Sequence, residues 1–216
     1  MAKWLREKIY QTIRDQVTYG KLLPGERIVE VKLVEDFKTS RSPIREALGQ
    51  LEVEGLVTRE KNRGIIVSKL SVKQVDEIYS IRELLEGHAT RLTAETATKT
   101  QVRYLGSLHQ KLIKAARKFD LEEWLNNNAR FHDFIIARCG NENLILIIET
   151  LQRRIYRYRY MIARIPSSFD TYIGHHEKIV AACDRNDGQF AEKVMRLHIK
   201  FTRDRLIDYL QRFPGF

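Results

Sequence analysis

The sequence predicts a mostly α chain in two parts: an N-terminal winged helix-turn-helix with a two-stranded wing, then an all-α antiparallel helical bundle. Three observations carry that prediction. Apolar residues recur at three- and four-residue steps along most of the chain, the period of a helix with one buried stripe. Two short β-branched runs, Leu56-Val57-Thr58-Arg59 and Ile65-Ile66-Val67, stand directly after two short helical segments. Beyond them no strand-like alternation follows.

Leu5, Ile9, Ile13 and Val17 are four residues apart, so Trp4 to Tyr19 is a first helix, ended by Gly20. Lys21 to Gly25 is a turn, and Val29 to Phe37 a second short helix with Val31, Val34 and Phe37 facing inward. Lys38-Thr39 leads into a third helix that starts near Ser40. Ser40 or Ser42 can cap its free amides, and Pro43 fits a first turn whose N–H groups have no intrahelical partner to lose. Ile44, Leu48 and Leu51 give this helix an apolar side, while Arg41 and Arg45 project together from a different one. Two short helices with a tight connection form a helix-turn-helix, whose second helix enters a major groove. Two guanidiniums at its start suit phosphates and guanine edges. Gly55 closes the helix, and Glu60 to Gly64 joins the two strands. Arg63 and Gly64 at that tip bring a guanidinium and bare backbone close to a minor groove or a phosphate.

Residues 69–73 are a linker between a domain at 1–68 and a domain at 74–216, and Ser71 in it can cap the next helix. Val72 to Ala97 is a long amphipathic helix and Thr100 to Phe119 another. Asp120-Leu121-Glu122-Glu123 is a capping signal for a third, which runs to about Cys139 before Gly140-Asn141 breaks it. Asn143 to Ile165, Tyr172 to Cys183 and Gly188 to Arg212 complete the bundle, with a loop at Pro166 to Phe169 and a turn at Asp184 to Asp187.

With 43% apolar residues in 216, the chain can bury a core. A net charge of +10 and a pI near 9.6 suit an anionic partner such as nucleic acid. The basicity is not confined to one end: residues 1–70 hold 14 Lys and Arg against 10 Asp and Glu, and the remainder 24 against 18. Cys139 and Cys183 are too few for a disulfide framework and read as small buried thiols. The N-terminus lacks an apolar core of signal-peptide length, and no apolar run approaches the roughly 18 residues that span a bilayer. The expectation is a cytoplasmic protein without membrane association.

Three helices of the bundle aim histidines inward. Asn128, His132, Ile135 and Cys139 share one face, His176 shares another with Ile179, Val180 and Cys183, and His198 a third with Ala191, Val194, Met195 and Phe201. Imidazoles buried together, with an amide oxygen one turn before one of them, make a site for a divalent transition metal with positions open to water or an anion. A metal-dependent enzyme is the weaker reading. His175-His176-Glu177 lacks the second histidine of a zinc-protease helix, and neither paired carboxylates nor a nucleophile with a base stands near the cluster. Arg153, Arg154, Arg157 and Arg159 interleave with Tyr156, Tyr158 and Tyr160, but helical spacing spreads them around a partly solvated, partly dimer-facing helix. His88 and His109 read as surface or rim residues.

The series Gly20-x-x-x-Pro24-Gly25, Glu30-x-x-Leu33, Ser40-Arg41-Ser42-Pro43-Ile44-Arg45-Glu46-Ala47-Leu48-x-x-Leu51-x-x-Glu54-Gly55-Leu56-Val57 and Asn62-Arg63-Gly64-x-x-Val67 resembles the winged helix of GntR-family bacterial transcription regulators. That resemblance implies a homodimer on a short inverted repeat of double-stranded DNA. It assigns recognition-helix contacts to Ser40, Arg41, Ser42 and Arg45 and the wing tip to Gly64. Tyr79-x-x-Arg82-x-x-x-Glu86, Asn128-x-x-Phe131-His132, Asn141, His176-x-x-Ile179, Asp187 and Met195-x-x-His198 resemble the FCD effector domain of the FadR subgroup. This second resemblance implies a helical pocket whose metal is bound by an aspartate and three histidines.

Here the aspartate is replaced by Asn128, which brings no charge. The expected ligand set is Asn128, His132, His176 and His198 around zinc, with nickel as the alternative. Either the metal is weaker, or an effector carboxylate completes its shell with Arg82 holding the anion. The expected function is a DNA-binding regulator, a repressor by the commoner habit of the family, controlled by a small organic acid. The alternative is a regulator for which the ion itself is the signal.

Overall fold

A computed structural model describes residues 2–155, 158–163 and 169–212. Helix α1 spans Ala2–Thr18 and buries Ile9, Ile13 and Val17, the stripe its four-residue spacing dictates. Strand β1, Arg27–Ile28, is one that the sequence reading lacked. Two residues are too few to show alternation, so only its pairing reveals it. β1 and β2 (Val57–Glu60) flank β3 (Gly64–Val67), both antiparallel, with Ile28 opposite Ile65 and Val57 opposite Val67. The wing is thereby anchored to the turn before α2, Glu30–Phe37. On α2 the expected inward set is corrected at one position. Val31 is 53% exposed, and Leu33 joins Val34 and Phe37 against the core.

Helix α3, Arg41–Val53, buries Ile44, Ala47, Leu48 and Leu51. These pack with Ile9, Ile13, Ile28, Leu56, Ile65 and Val67 into one core for the first 67 residues. Helix α3 and the wing therefore rest on one shared core. Gly64 sits at φ +78°, where a side chain would be strained although a Cβ would meet nothing nearer than Arg27 Nε at 3.9 Å.

Ser71 accepts a hydrogen bond from the Gln74 amide in a reciprocal capping box and starts α4, Val72–Thr96. Thr98 does the same for α5, Lys99–Lys118, and Asp120 caps α6, Leu121–Ala137. Helix α7, Glu142–Ile155, ends ten residues before the sequence reading placed its end. The short α8 is Arg159–Ala163; Tyr156, Arg157, the last residues of the expected helix and most of the loop after it lie outside the described residues. Helices α9, Phe169–Asp184, and α10, Gly188–Arg212, close the bundle. α10 packs along α4, where a Cβ on Gly87 would meet Arg196 Cγ at 2.6 Å. Among the described residues, no helix is long and apolar enough to cross a membrane.

Hydrogen bonds among the described residues join the first part of the chain and the linker to the bundle. The Tyr19 hydroxyl donates to Asn126 Oδ1 on α6 at 2.9 Å, and the Leu70 amide donates to the buried Tyr158 hydroxyl at 2.7 Å.

Candidate functional site

The start of α3 is exposed. Ser40 occupies the N-cap position in an extended conformation, yet its hydroxyl bonds no first-turn amide, and Ser42 Oγ instead donates to Glu46 at 3.1 Å. The capping role expected of one of these serines is absent here, which leaves Ser40 and the free amides of the turn facing solvent. Arg41 and Arg45 are both exposed, and Arg45 Nε lies 3.1 Å from Glu30 Oε2 on α2. With 62% of the Arg45 side chain exposed, that pair is worth about 0–1 kcal/mol and opens readily for a stronger anion. On the wing, Arg63 is exposed beside Gly64, 3.3 Å from Glu60 and hydrogen-bonded to the Gly25 carbonyl.

The bundle brings the three predicted histidines together. His132 on α6, His176 on α9 and His198 on α10 each place a ring nitrogen within 4.8 Å of the others, and all three are buried. Ring centroids lie 4.9 Å apart for His132 and His198 and 4.7 Å for His176 and His198. Neither ring nitrogen of His176 has a hydrogen-bond partner, and Nδ1 of His132 and of His198 lacks one as well. Burial pushes His176 and His198 well below the ordinary imidazole range, and the neighbouring imidazoles push them further. These are neutral rings with idle lone pairs, the state in which imidazole ligates a metal. The residues present therefore fit a transition metal ion.

A cavity of about 60 Å³ opens on this cluster, several times the roughly 10–15 Å³ one water needs. Asn128, His132 and His198 line it together with Arg82, Tyr79 and Arg159; His176 lies outside its lining. Asn128 is thus on the cavity wall where the sequence placed it. Arg82 is there too, but not as a free cation. It is 6% exposed, stacks over the Tyr79 ring at 4.7 Å, and its Nε donates to Glu86 Oε1 at 2.7 Å. Glu86 is fully buried. Burial pushes its carboxyl up, but Arg82 and His132 outweigh that and hold it below the ordinary carboxylate range.

Sequence reasoning gave Glu86 no role, although its four-residue spacing from Arg82 signals an ion pair on one helix face. Arg159, expected on a partly solvated, partly dimer-facing helix, stands at the start of α8 and lines the cavity. His109, expected at the surface, is buried at 6% exposure, since α5 turns that face toward α9. His88 is exposed, as expected.

Comparison with known proteins accords with both halves of this arrangement. Residues 5–67 match the family described as bacterial regulatory proteins, gntR family, and residues 77–201 match the FCD domain. The chain is 28% identical to the HTH-type transcriptional repressor RspR of Escherichia coli over 91% of its length and 86% of that protein's. An uncharacterized HTH-type transcriptional regulator of Bacillus subtilis, YdhC, is 27% identical over 94% of this chain and 92% of its own. Among solved structures, E. coli McbR/YncC superposes with a TM-score of 0.81 at 26% identity, covering 96% of this chain and 98% of that one. A GntR regulator from Rhodococcus, at 19% identity and a TM-score of 0.76, shares the fold.

Proposed function

The chain belongs to the GntR family of bacterial transcription regulators and carries an FCD domain, and from this premise we propose that it is a homodimeric repressor whose hold on its operator is set by a small organic acid at a metal-bearing histidine site. The family and the relatives compared are regulators of transcription and not enzymes, so the cluster binds a signal rather than turning over a substrate.

The DNA side of this reading rests on Ser40, Arg41, Ser42 and Arg45 at the exposed start of α3, with Arg63 and Gly64 at the wing. In a dimer these elements meet two half-sites of an inverted repeat. Second-copy contacts have an apolar source: Ile81 and Leu84 on α4, and Leu146 and Ile147 on α7, are each about half exposed on two helices that pack together.

The ligand side rests above all on one observation: His176, fully buried, has both ring nitrogens without a partner among two other imidazoles. A buried polar atom left unpaired costs about 1–3 kcal/mol, so the site calls for an occupant. His132, His176 and His198 would hold zinc or nickel, with Asn128 as a neutral oxygen donor. Such an ion supplies a Lewis-acidic anchor with room for a carboxylate. Arg159 and the outer edge of Arg82 make the cavity favourable to an anion.

Occupancy reaches the DNA-binding part through linkage: the ligand matters only if it prefers one arrangement of the dimer. The Tyr19–Asn126 and Leu70–Tyr158 bonds support a route, because α6 and α8 bound the cavity and Tyr158 immediately precedes α8.

The test joins elemental analysis and native mass spectrometry of tag-free protein to operator binding measured by fluorescence anisotropy. Bound metal, plus operator release by an organic acid only when metal is present, is the expected result. Release by metal alone would make the ion the signal. Metal-free protein that responds to no acid would overturn the ligand side.

A further inference from the structure

We propose that Glu86 is the buried counter-charge of the histidine site, serving through His132 the role that Asn128, being neutral, cannot serve as a ligand. This rests on the metal reading of the cluster. Glu86 comes from α4, while the histidines come from α6, α9 and α10. Its two oxygens have different fates. Oε1 accepts from Arg82 Nε at 2.7 Å and from Gln152 Nε2 at 3.5 Å. Oε2 is buried and has no hydrogen-bond partner.

The atom facing that idle oxygen is His132 Nδ1, 3.6 Å away and equally without a partner. At 3.6 Å the contact is not yet a hydrogen bond. A shift of a few tenths of an ångström makes it one, and both orphaned atoms are satisfied by the same movement. A carboxylate behind an imidazole fixes the proton on the near nitrogen, aims the far nitrogen at the ion and raises its basicity.

Charge makes the same point. Three neutral imidazoles and an amide offer a divalent ion no compensation. Arg82 neutralises Glu86, which explains how a carboxylate can be kept fully buried there. Once a cation arrives, the carboxylate stands between two positive charges and attracts both. The arrangement is therefore set for an ion before the ion binds.

The experiment compares Zn2+ affinity, by competition with a chromophoric chelator, in the wild type, Glu86→Gln, and Glu86→Gln combined with Asn128→Asp. Folding of each is checked by circular dichroism. Glu86→Gln is expected to weaken Zn2+ about 10- to 100-fold. Adding Asn128→Asp is expected to restore most of it, because the lost carboxylate returns as a ligand. A residue needed only for packing would not be rescued from another helix, so a failed rescue overturns the inference.

Wild-type affinity in folded Glu86→Gln also overturns it while leaving the metal site standing. A wild type that binds no Zn2+ removes both. If Glu86→Gln does not fold, long-range proton–nitrogen NMR on the Zn2+-loaded wild type decides: a His132 proton on Nδ1 supports the inference, and metal on Nδ1 refutes it.

Discussion

Replacing His176 by leucine separates a ligand from a core histidine by the sign of its effect. In the metal-free chain the His176 ring is fully buried and neither nitrogen is paired. A neutral imidazole has one donor and one acceptor, so two penalties of about 1–3 kcal/mol each apply. Leucine, close in volume, removes both. It forfeits the ring contact with Phe131, whose centroid lies 4.4 Å away, a loss of about 0.5–1.5 kcal/mol. The metal-free variant should therefore be more stable than the wild type by about 0.5 kcal/mol or more. With Zn2+ at about 100 times its Kd, the wild type gains about 2.7 kcal/mol and the variant gains nothing. Metal thus shifts the comparison toward the wild type by that full amount, and the order of stability reverses wherever the metal-free difference is smaller. Urea unfolding followed by circular dichroism, in EDTA and in Zn2+, reads both terms. A variant less stable than the wild type in EDTA, together with a wild-type midpoint that Zn2+ does not move, would refute the reasoning and leave His176 an ordinary core residue.

Arg45→Ala should cost about 1–3 kcal/mol of operator binding and relax preference at one base position; uniform weakening with a salt slope lower by about 1 would instead identify a phosphate contact. Acidification should destabilise the metal-free chain. His176 and His198 are held below 6.5, so below that pH the unfolded chain takes up protons that the folded chain refuses. Stability is then complete above about pH 6.5 and falls below it, by up to about 2.7 kcal/mol per pH unit for two groups. The depressed Glu86 carboxyl adds its own loss only below about pH 4. Equal urea midpoints at two pH values on either side of 6 would contradict this. Ile81→Glu with Leu84→Glu should turn a dimer into monomers by analytical ultracentrifugation, and an intact dimer would exclude that face. Tyr158→Phe, which removes the acceptor of the Leu70 amide, should blunt the operator's response to effector while effector affinity stays within a few-fold; an undiminished response would exclude that route.

How far the sequence spoke depends on the range over which each feature is encoded. Helices α4, α5 and α6 repeat their apolar spacing over four turns or more, and Ser71, Thr98 and Asp120 mark their starts locally, so their existence was legible. The inward aim of His132, His176 and His198 follows from the same period. What sequence alone did not carry was pairing between distant segments. β1 is two residues held by β3 nearly forty positions later, and no local pattern announces it. Only the packed bundle shows that Arg159 lines the cavity and which face of α5 buries His109. Arg82 shows the limit most plainly. Its four-residue spacing from Glu86 was readable, but the burial of that pair beside His132 emerges only once α4 packs on the other helices.

The magnitudes also constrain how such a molecule can signal. Allosteric coupling between two sites is typically 1–3 kcal/mol, and a single hydrogen bond contributes a net 0.5–1.5 kcal/mol, or about 1–3 when a buried partner is left unpaired. The cavity needs no large motion to matter at that scale. One buried bond, Leu70 to Tyr158, and one exposed bond, Tyr19 to Asn126, already span the required range. Asn126 stands two residues before Asn128 on α6, and Tyr158 immediately precedes Arg159, so each bond is tied to a residue on the cavity wall. A shift of either wall by the fraction of an ångström that separates Glu86 from a full hydrogen bond with His132 is enough to alter such a bond, because hydrogen bonds weaken steeply with misalignment. The two bonds therefore match in energy the coupling that the proposed control of the operator by a ligand at this cavity would need.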